Sequence, residues 1–149
     1  MPLPKPPHAA IVYEDAQTYA CLASFPIARG HTIVAWKRPV RDLHLLSCAQ
    51  VEHLMDVVDL MRDALLKTLH IDKVYLVYMD EAKHVHWHLV PRYNEQGFNV
   101  FAHAPKRVRT FPLANRLRAG IAASARTHPA IIAMTVRTFL YRPDGIGAV

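Results

Sequence analysis

This chain of 149 residues has little cysteine and no long apolar run. Its two cysteines, Cys21 and Cys48, do not form a Cys-x-x-Cys pair, which argues against a disulfide framework or a cysteine zinc site. No apolar run approaches the ~18 residues that a membrane-spanning helix needs. The proline-rich start carries a charge but lacks the apolar segment of a signal peptide. We therefore expect a cytoplasmic protein that does not bind a membrane.

Acidic residues are scarce in the last third of the chain. Residues 101–149 contain eight lysines and arginines but a single acid, Asp144, whereas the first hundred residues are nearly neutral. A basic segment favours partners that carry phosphate, although a solvated basic surface explains it equally well. Nucleic acid is therefore a candidate partner but not the favoured one.

The rest of the composition is that of an ordinary globular protein, with 52% hydrophobic and 20% charged residues. A chain of this length is expected to form one domain with a substantial core. That domain would consist of a mobile proline-rich lead-in over residues 1–7, a core over about residues 8–93 and a C-terminal extension over residues 94–149.

Strand signals lie on both sides of one long helical segment. β-branched and aromatic residues predict strands over residues 11–14, 18–22, 31–36 and 73–79, and another strand starts at His84. Short turns join the first pair and the last pair, so these neighbours must be antiparallel. The predicted class is α+β with a largely antiparallel sheet.

The segment between the third and fourth predicted strands has the pattern of a surface helix. Ser47 and Gln50 have the spacing of a capping box at its start. Its apolar residues recur at intervals of three or four and form one stripe: Leu54, Val58, Met61, Leu65 and Leu69. A second helix is expected from about Leu113, with Pro112 near its first turn. Residues 130–141 are apolar and fit either a helix or a strand.

Three histidines alternate with apolar residues on the last predicted strand. Because side chains alternate between the two faces of a strand, His84, His86 and His88 share one face. The residues between and beyond them point into the core: Val85, Trp87 and Leu89. A single histidine on such a face is usually an ordinary polar residue, but a row of three favours a function.

Two chemistries use imidazole side chains in this way. In a metal site, His84 and His88 would start about 13 Å apart, so the row cannot comfortably share one ion and needs a ligand such as His31. In phosphoryl or nucleotidyl transfer, the neutral ring of His86 attacks phosphorus while the flanking histidines donate hydrogen bonds to phosphate oxygens. We favour transfer, because it uses all three residues and needs neither a metal nor a cofactor.

The stretch from His84 to Arg92, HVHWHLVPR, resembles the H-x-H-x-H motif of the histidine-triad (HIT) family of nucleotide hydrolases and transferases. Its Pro-Arg ending is similar to that of the dinucleoside polyphosphate hydrolase-like members. A second similarity covers Pro26, Gly30 and His31 and continues into the basic segment 37–40. The likeness extends over roughly residues 8–93.

The resemblance implies a five-stranded antiparallel sheet with one long helix, usually paired into a homodimer with a continuous sheet. It implies that His86 is the nucleophile that becomes nucleotidylated. His88 and His31 would line the α-phosphate site, and the backbone carbonyl of His84 would orient the ring of His86. Metal is not generally required in this family.

Two positions depart from the family pattern. Many members carry Asp or Asn where this chain has Ala23, with Ser24 beside it, so Ser24 or another group would have to contact the ribose. The polar Gly-Gln-Ser/Thr run that precedes the triad in several branches is replaced here by residues 80–83. Lys83 within that turn, and Arg92 on the triad face, are the remaining candidates for phosphate contacts.

These residues lead to one preferred function and several alternatives. The preferred function is a metal-independent hydrolase or transferase that attacks the α-phosphate of a dinucleoside polyphosphate or a nucleoside phosphoramidate. The alternatives are a HIT-like protein that binds nucleotides without turnover, a nucleic-acid end-processing enzyme, and a metal hydrolase. Loss of turnover in His86→Ala is the expected signature of the first.

Overall fold

Five strands form a single antiparallel sheet, as the sequence predicts. The computed structural model describes residues 3–79, 81–102 and 104–125. The strands follow the order β1-β2-β3-β5-β4 across the sheet. Their bounds are β1 Ile11–Glu14, β2 Thr18–Leu22, β3 Thr32–Trp36, β4 Lys73–Tyr78 and β5 His86–Arg92.

One long helix, α1 (Cys48–Leu69), packs across this sheet. The predicted capping box is present: Ser47 Oγ accepts from the Gln50 backbone N–H, and Gln50 Oε1 accepts from the Ser47 backbone N–H at 2.9 Å. The apolar stripe of α1 faces the sheet, with Leu54 and Met61 fully buried. The helix ends at His70, whose backbone adopts a left-handed conformation. Among the described residues, no helix is long and apolar enough to cross a membrane.

The C-terminal extension contributes a second helix, α2 (Ala114–Ala125), that packs on α1 and β1. It starts two residues after Pro112, and its residues Leu117 and Ile121 are buried in the core. The prediction of a helical extension is confirmed for this part of the chain. The apolar stretch 130–141 lies outside the described residues.

The strand register places His86 and His88 on an interior strand, between β3 and β4. Ala35 of β3 pairs with His86, and Ile33 pairs with His88, on the side opposite α1. The apolar residues between them, Val85 and Leu89, are fully buried, as predicted. β5 begins at His86 rather than at His84. His86 and His88 therefore lie on an interior strand of the sheet, which holds their side chains in fixed relative positions.

Candidate active site

The loop between β2 and β3 brings His31 to the histidine row. The Ala23 N–H donates to the His31 carbonyl at 2.8 Å, and the His31 N–H donates to the Ala28 carbonyl at 3.0 Å. Gly30 has a φ of +83°, and a Cβ built there would lie 2.9 Å from Leu69 Cδ1. Only glycine fits this turn without strain, and the turn places the buried ring of His31 next to β5.

His31, His88 and His86 form a continuous chain of hydrogen bonds. Nε2 of His31 lies 2.9 Å from Nδ1 of His88, and Nε2 of His88 lies 3.0 Å from Nε2 of His86. Nδ1 of His86 lies 2.6 Å from the backbone carbonyl of His84. The structure therefore brings together the three rings that the sequence predicts for the site. The ring of His84 is not part of this hydrogen-bond chain, but the backbone carbonyl of His84 is.

The groups at the two ends of this hydrogen-bond chain determine which nitrogen of each histidine carries a proton. The backbone N–H of Ile27 donates to Nδ1 of His31 at 3.1 Å. A neutral His31 then carries its proton on Nε2 and donates to His88. At the other end, the carbonyl of His84 only accepts, so Nδ1 of His86 carries a proton and Nε2 of His86 keeps its lone pair.

The hydrogen bonds at both ends assign the same tautomer to His88, the ring between His31 and His86. Nδ1 of His88 accepts from His31, and Nε2 of His88 donates to His86. A second proton on His88 would place two N–H groups against each other at Nε2 of His31. The network is therefore consistent only when all three rings are neutral, and it leaves the unprotonated Nε2 of His86 as the nucleophilic atom.

The electrostatics of the site favour the same neutral state. Burial lowers the pKa of His86 below its usual value of 6.5, and nearby His84 lowers it further, against the opposing effects of the His84 carbonyl and of Glu81. Burial also lowers the pKa of His88 to about 4, with the neighbouring His86 as the second cause. Both rings are therefore neutral nucleophiles or donors at physiological pH.

The ring of His84 is held separately, at the end of β3. Its Nε2 donates to the Trp36 carbonyl at 2.6 Å, and its Nδ1 accepts from the Leu3 backbone N–H at 3.1 Å. The ring is buried, with 5% of its surface exposed. These contacts hold the residue whose carbonyl orients His86. The described residues contain no group of three His, Cys, Asp or Glu side chains arranged to hold a metal ion.

A cavity of about 480 Å³ adjoins His31. The β2–β3 loop forms one wall, and the segment that leads into α2 forms the other. The walls are mainly apolar, and two arginines contribute the charged groups. The lining residues are Leu22, Ala23, Pro26, Arg29, Gly30, His31, Val108, Thr110, Phe111, Pro112, Leu113 and Arg116. The cavity has the size and chemistry to receive an apolar group attached to an anion.

The three other residues predicted to contact the substrate, Ser24, Lys83 and Arg92, have different surroundings. Ser24 is half-buried next to the cavity, and its carbonyl accepts from the Val108 N–H at 2.8 Å. Lys83 is exposed and has a φ of +49°, so the chain turns sharply before the histidine row.

The guanidinium group of Arg92 contacts its own neighbours in sequence. Its guanidinium donates to the Glu95 side chain and to the Glu95 carbonyl, both at 2.6 Å, and lies 4.8 Å from the centre of the Phe98 ring. A phosphate role for Arg92 would require it to leave this pair.

Apart from the carbonyl of His84, the sequence prediction did not include the backbone groups that orient the site. The N–H groups of Leu3 and Ile27 and the carbonyl of Trp36 set the tautomers of the histidines. Every residue has such groups, so no side-chain pattern identifies them. The contribution of residues 108–116 to the cavity was missed for the same reason, since only tertiary structure brings them to His31.

Comparisons with known proteins agree with this arrangement. The family model described as the HIT domain matches residues 6–95. A zinc-bound histidine triad family protein from Mycobacterium smegmatis is 27% identical, with a TM-score of 0.64, covering 80% of this chain and 88% of the other. A search of curated proteins found no match.

Two more distant structures share the fold. A hypothetical histidine triad nucleotide-binding protein from Sulfolobus tokodaii is 21% identical, with a TM-score of 0.60, covering 89% of this chain and 90% of the other. The diadenosine triphosphate hydrolase of Plasmodium falciparum, solved with cyclomarin A, is 10% identical, with a TM-score of 0.61, covering 80% of this chain and 79% of that one.

Proposed function

Because this chain belongs to the HIT domain family, we propose that it is a nucleotide hydrolase or transferase that attacks the α-phosphate of its substrate. The substrate is a dinucleoside polyphosphate or a nucleoside phosphoramidate. The observation that carries the proposal is the unprotonated Nε2 of His86, whose other nitrogen is fixed 2.6 Å from the His84 carbonyl. The hydrolase and nucleotide-binding names of structural neighbours support the same class of substrate.

In the first step, the lone pair on Nε2 of His86 attacks the α-phosphorus. An N–P bond forms, and the bond from phosphorus to the leaving oxygen or nitrogen breaks, with its electron pair going to the leaving group. The ring of His86 becomes cationic in the intermediate, and its Nδ1–H donates to the carbonyl of His84 throughout. This charge-assisted hydrogen bond stabilises the intermediate more than the resting ring.

His88 must change partner when a phosphate enters. In the resting protein its Nε2–H donates to Nε2 of His86 and covers the lone pair that attacks. A phosphate oxygen is a stronger acceptor, so the His88 N–H turns to it and exposes the lone pair. His31 lies behind His88 and supplies its Nε2–H to Nδ1 of His88. The pair thus places a donor where negative charge develops.

In the second step, water or another acceptor attacks the phosphorus of the intermediate. An O–P bond forms, the N–P bond breaks, and the bonding pair returns to Nε2 of His86. The proton lost by water leaves with the product or passes to solvent. This sequence regenerates the neutral ring and requires no metal or cofactor.

The cavity beside His31 is the proposed site of the organic part of the substrate. Its apolar walls suit a nucleobase, and Arg29 and Arg116 suit the phosphates beyond the α-position. Among the described residues, neither arginine side chain forms an ion pair with an acid. Ala23 supplies no carboxylate to the cavity wall, so ribose contacts would come from Ser24 or Thr110.

A trapping experiment tests the catalytic role. The protein is mixed with radiolabelled diadenosine polyphosphate or adenosine phosphoramidate in the presence of a chelator, quenched in base and analysed by mass spectrometry. The expected adduct is a single nucleotidyl group on His86, with turnover lost by at least about 10³-fold in His86→Ala. His44→Ala is the matched control, because His44 is exposed and distant in sequence from the row.

Other outcomes would favour the alternative functions. Nucleotide binding without turnover or adduct in the unchanged protein would indicate a HIT-like binding protein. Turnover that disappears with the chelator and returns with a divalent metal would indicate a metal hydrolase. Undiminished activity in His86→Ala would exclude His86 as the nucleophile.

We also infer a homodimer formed through β4. This strand is at one edge of the sheet, while β1 at the other edge is packed against α2. An unpaired edge strand is a template for pairing with another strand. Leu76 on β4 is 39% exposed, which is high for a large apolar residue of a strand. Pairing of two β4 strands would produce a continuous sheet.

A further inference from the structure

We propose that the N-terminal segment, residues 3–10, is a strap that positions the nucleophile through the ring of His84. The proposal rests on the proposed function for its catalytic readout. The sequence suggested a mobile lead-in over residues 1–7, but Leu3 of that lead-in hydrogen-bonds to a residue 81 positions away. The strap acts on His84, and His84 acts on His86, so its residues are positioning residues.

The two ends of the strap are fixed on opposite parts of the sheet. At one end, the Leu3 N–H donates to Nδ1 of His84 at 3.1 Å. At the other end, Ile11 begins β1, and Arg118 of α2 holds the Ile11 carbonyl with donors at 2.6 and 3.0 Å. Since β1 and β5 are separated by two strands, the strap spans roughly 14 Å of sheet.

The composition of the strap suits this span. It contains Pro4, Pro6 and Pro7, which favour an extended backbone with a rise of about 3.1 Å per residue. Residues 3–7 in such a backbone span about 15 Å, which is long enough to cross two strands, and residues 8–10 form a 3-10 helix that leads into β1. Proline also restricts the unbound segment, so less conformational entropy is lost when the strap is held in place. Among its described residues, Ala10 is fully buried and Leu3 is partly buried.

The hydrogen bond from Leu3 completes the contacts of the His84 ring. Nε2 of His84 donates to the Trp36 carbonyl at 2.6 Å, so Nδ1 is an acceptor that needs a donor. Without the Leu3 N–H, this buried nitrogen loses its donor, which is unfavourable unless the ring moves to reach another donor. Such a movement displaces the backbone of His84, whose carbonyl orients His86.

Two substitutions at one position separate the backbone donor from the side chain. Leu3→Pro removes the N–H but keeps an apolar residue in a segment where residues 2 and 4 are already proline. Leu3→Ala keeps the N–H and removes most of the side chain. We expect Leu3→Pro to lower kcat at least about tenfold more than Leu3→Ala, equivalent to about 1.4 kcal/mol, with little difference in KM. Equal losses in the two variants, or none in Leu3→Pro, would overturn the proposal.

A spectroscopic measurement tests the strap without relying on turnover. In protein with ¹⁵N-labelled histidine, the ring nitrogens of His84 report which of them is protonated, and the Nδ1–H of His86 gives a separate proton signal. Leu3→Pro is expected to change the His84 ring signals and to broaden or shift the His86 signal, whereas Leu3→Ala should preserve both. Unchanged spectra in Leu3→Pro would reject the strap. If no nucleotide is turned over by the unchanged protein, the proposed function fails, and these spectra still decide on the strap.

Discussion

In the resting protein, Nε2 of His88 donates to Nε2 of His86 across 3.0 Å, so the nucleophile is covered by its own neighbour. The same N–H is the donor that the mechanism assigns to a phosphate oxygen. Substrate entry and exposure of the nucleophile are therefore one event. A free lone pair in a buried site would otherwise be left without a hydrogen-bond partner, which is unfavourable.

The pH dependence of turnover follows from the lowered pKa values. Burial lowers the pKa of His86 and takes that of His88 to about 4, so both rings are mainly neutral at pH 6.5, where a free imidazole is half protonated. We expect kcat/KM to remain level from neutral pH to below 6.5 and to fall only as pH drops further, when His86 becomes protonated. A plot of kcat/KM against pH tests this expectation. An acid limb centred at 6.5 or above would contradict it.

Folding stability should also fall as the pH drops below 6.5. The unfolded chain takes up protons on these histidines near pH 6.5, whereas the folded chain takes them up only at lower pH. The contribution of these histidines to the free energy of unfolding is thus fully present above pH 6.5 and declines as the pH falls toward 4. Urea unfolding at several pH values measures this decline, and replacing His88 with Asn should reduce it.

The glycine before His31 offers a matched pair of substitutions. Gly30→Ala combines a φ of +83° with a Cβ 2.9 Å from Leu69 Cδ1, while Gly97→Ala has a φ of +71° and no atom within 4 Å. We expect Gly97→Ala to cost about 1 kcal/mol and Gly30→Ala to cost roughly 1–3 kcal/mol more. Thermal unfolding measures both. Turnover should fall only in Gly30→Ala, because its turn positions His31; equal stability losses would contradict the packing role.

The arginines of the cavity should contribute to binding rather than to chemistry. Arg29→Gln removes a charge from the cavity wall, and we expect KM to rise about three- to tenfold with kcat nearly unchanged. Arg109→Gln is the control, because Arg109 is exposed in the neighbouring segment but does not line the cavity. Steady-state kinetics at two salt concentrations make the comparison. Equal effects of the two substitutions would indicate a general effect of charge.

The proposed dimer is tested at the exposed edge of the sheet. Leu76→Lys places a charge on β4, a change that opposes strand pairing between two copies. We expect the unchanged protein to have the mass of a dimer by light scattering and Leu76→Lys to have the mass of a monomer. Lys5→Glu is a suitable control, since Lys5 is exposed outside the sheet. A monomeric unchanged protein would rule out the dimer.

Much of the fold was predictable because local patterns dominate it. The capping box of Ser47 and Gln50 and the three-to-four spacing of the apolar stripe predicted α1, and both are present. The alternation of histidine and apolar residues predicted that His86 and His88 share a face, as the register with Ala35 and Ile33 confirms. These features depend on residues close in sequence, so the sequence alone reveals them.

The site depended on contacts that no local pattern encodes. The resemblance implied that His31 and His88 line one site and that His84 acts through its carbonyl, but not that Nε2 of His31 would lie 2.9 Å from Nδ1 of His88. This contact joins side chains that are 57 residues apart in sequence, so no local pattern indicates it.

The sequence by itself determined the fold class, the histidine face and the residues with the chemistry to act, because periodicity and side-chain type are properties of the chain. Only the tertiary structure decided the protonation pattern of the site. The N–H of Ile27 and the carbonyl of His84 orient three rings between them, and the N–H of Leu3 holds a fourth. Backbone groups are the same in every residue, so their role appears only when folding places them against a particular ring.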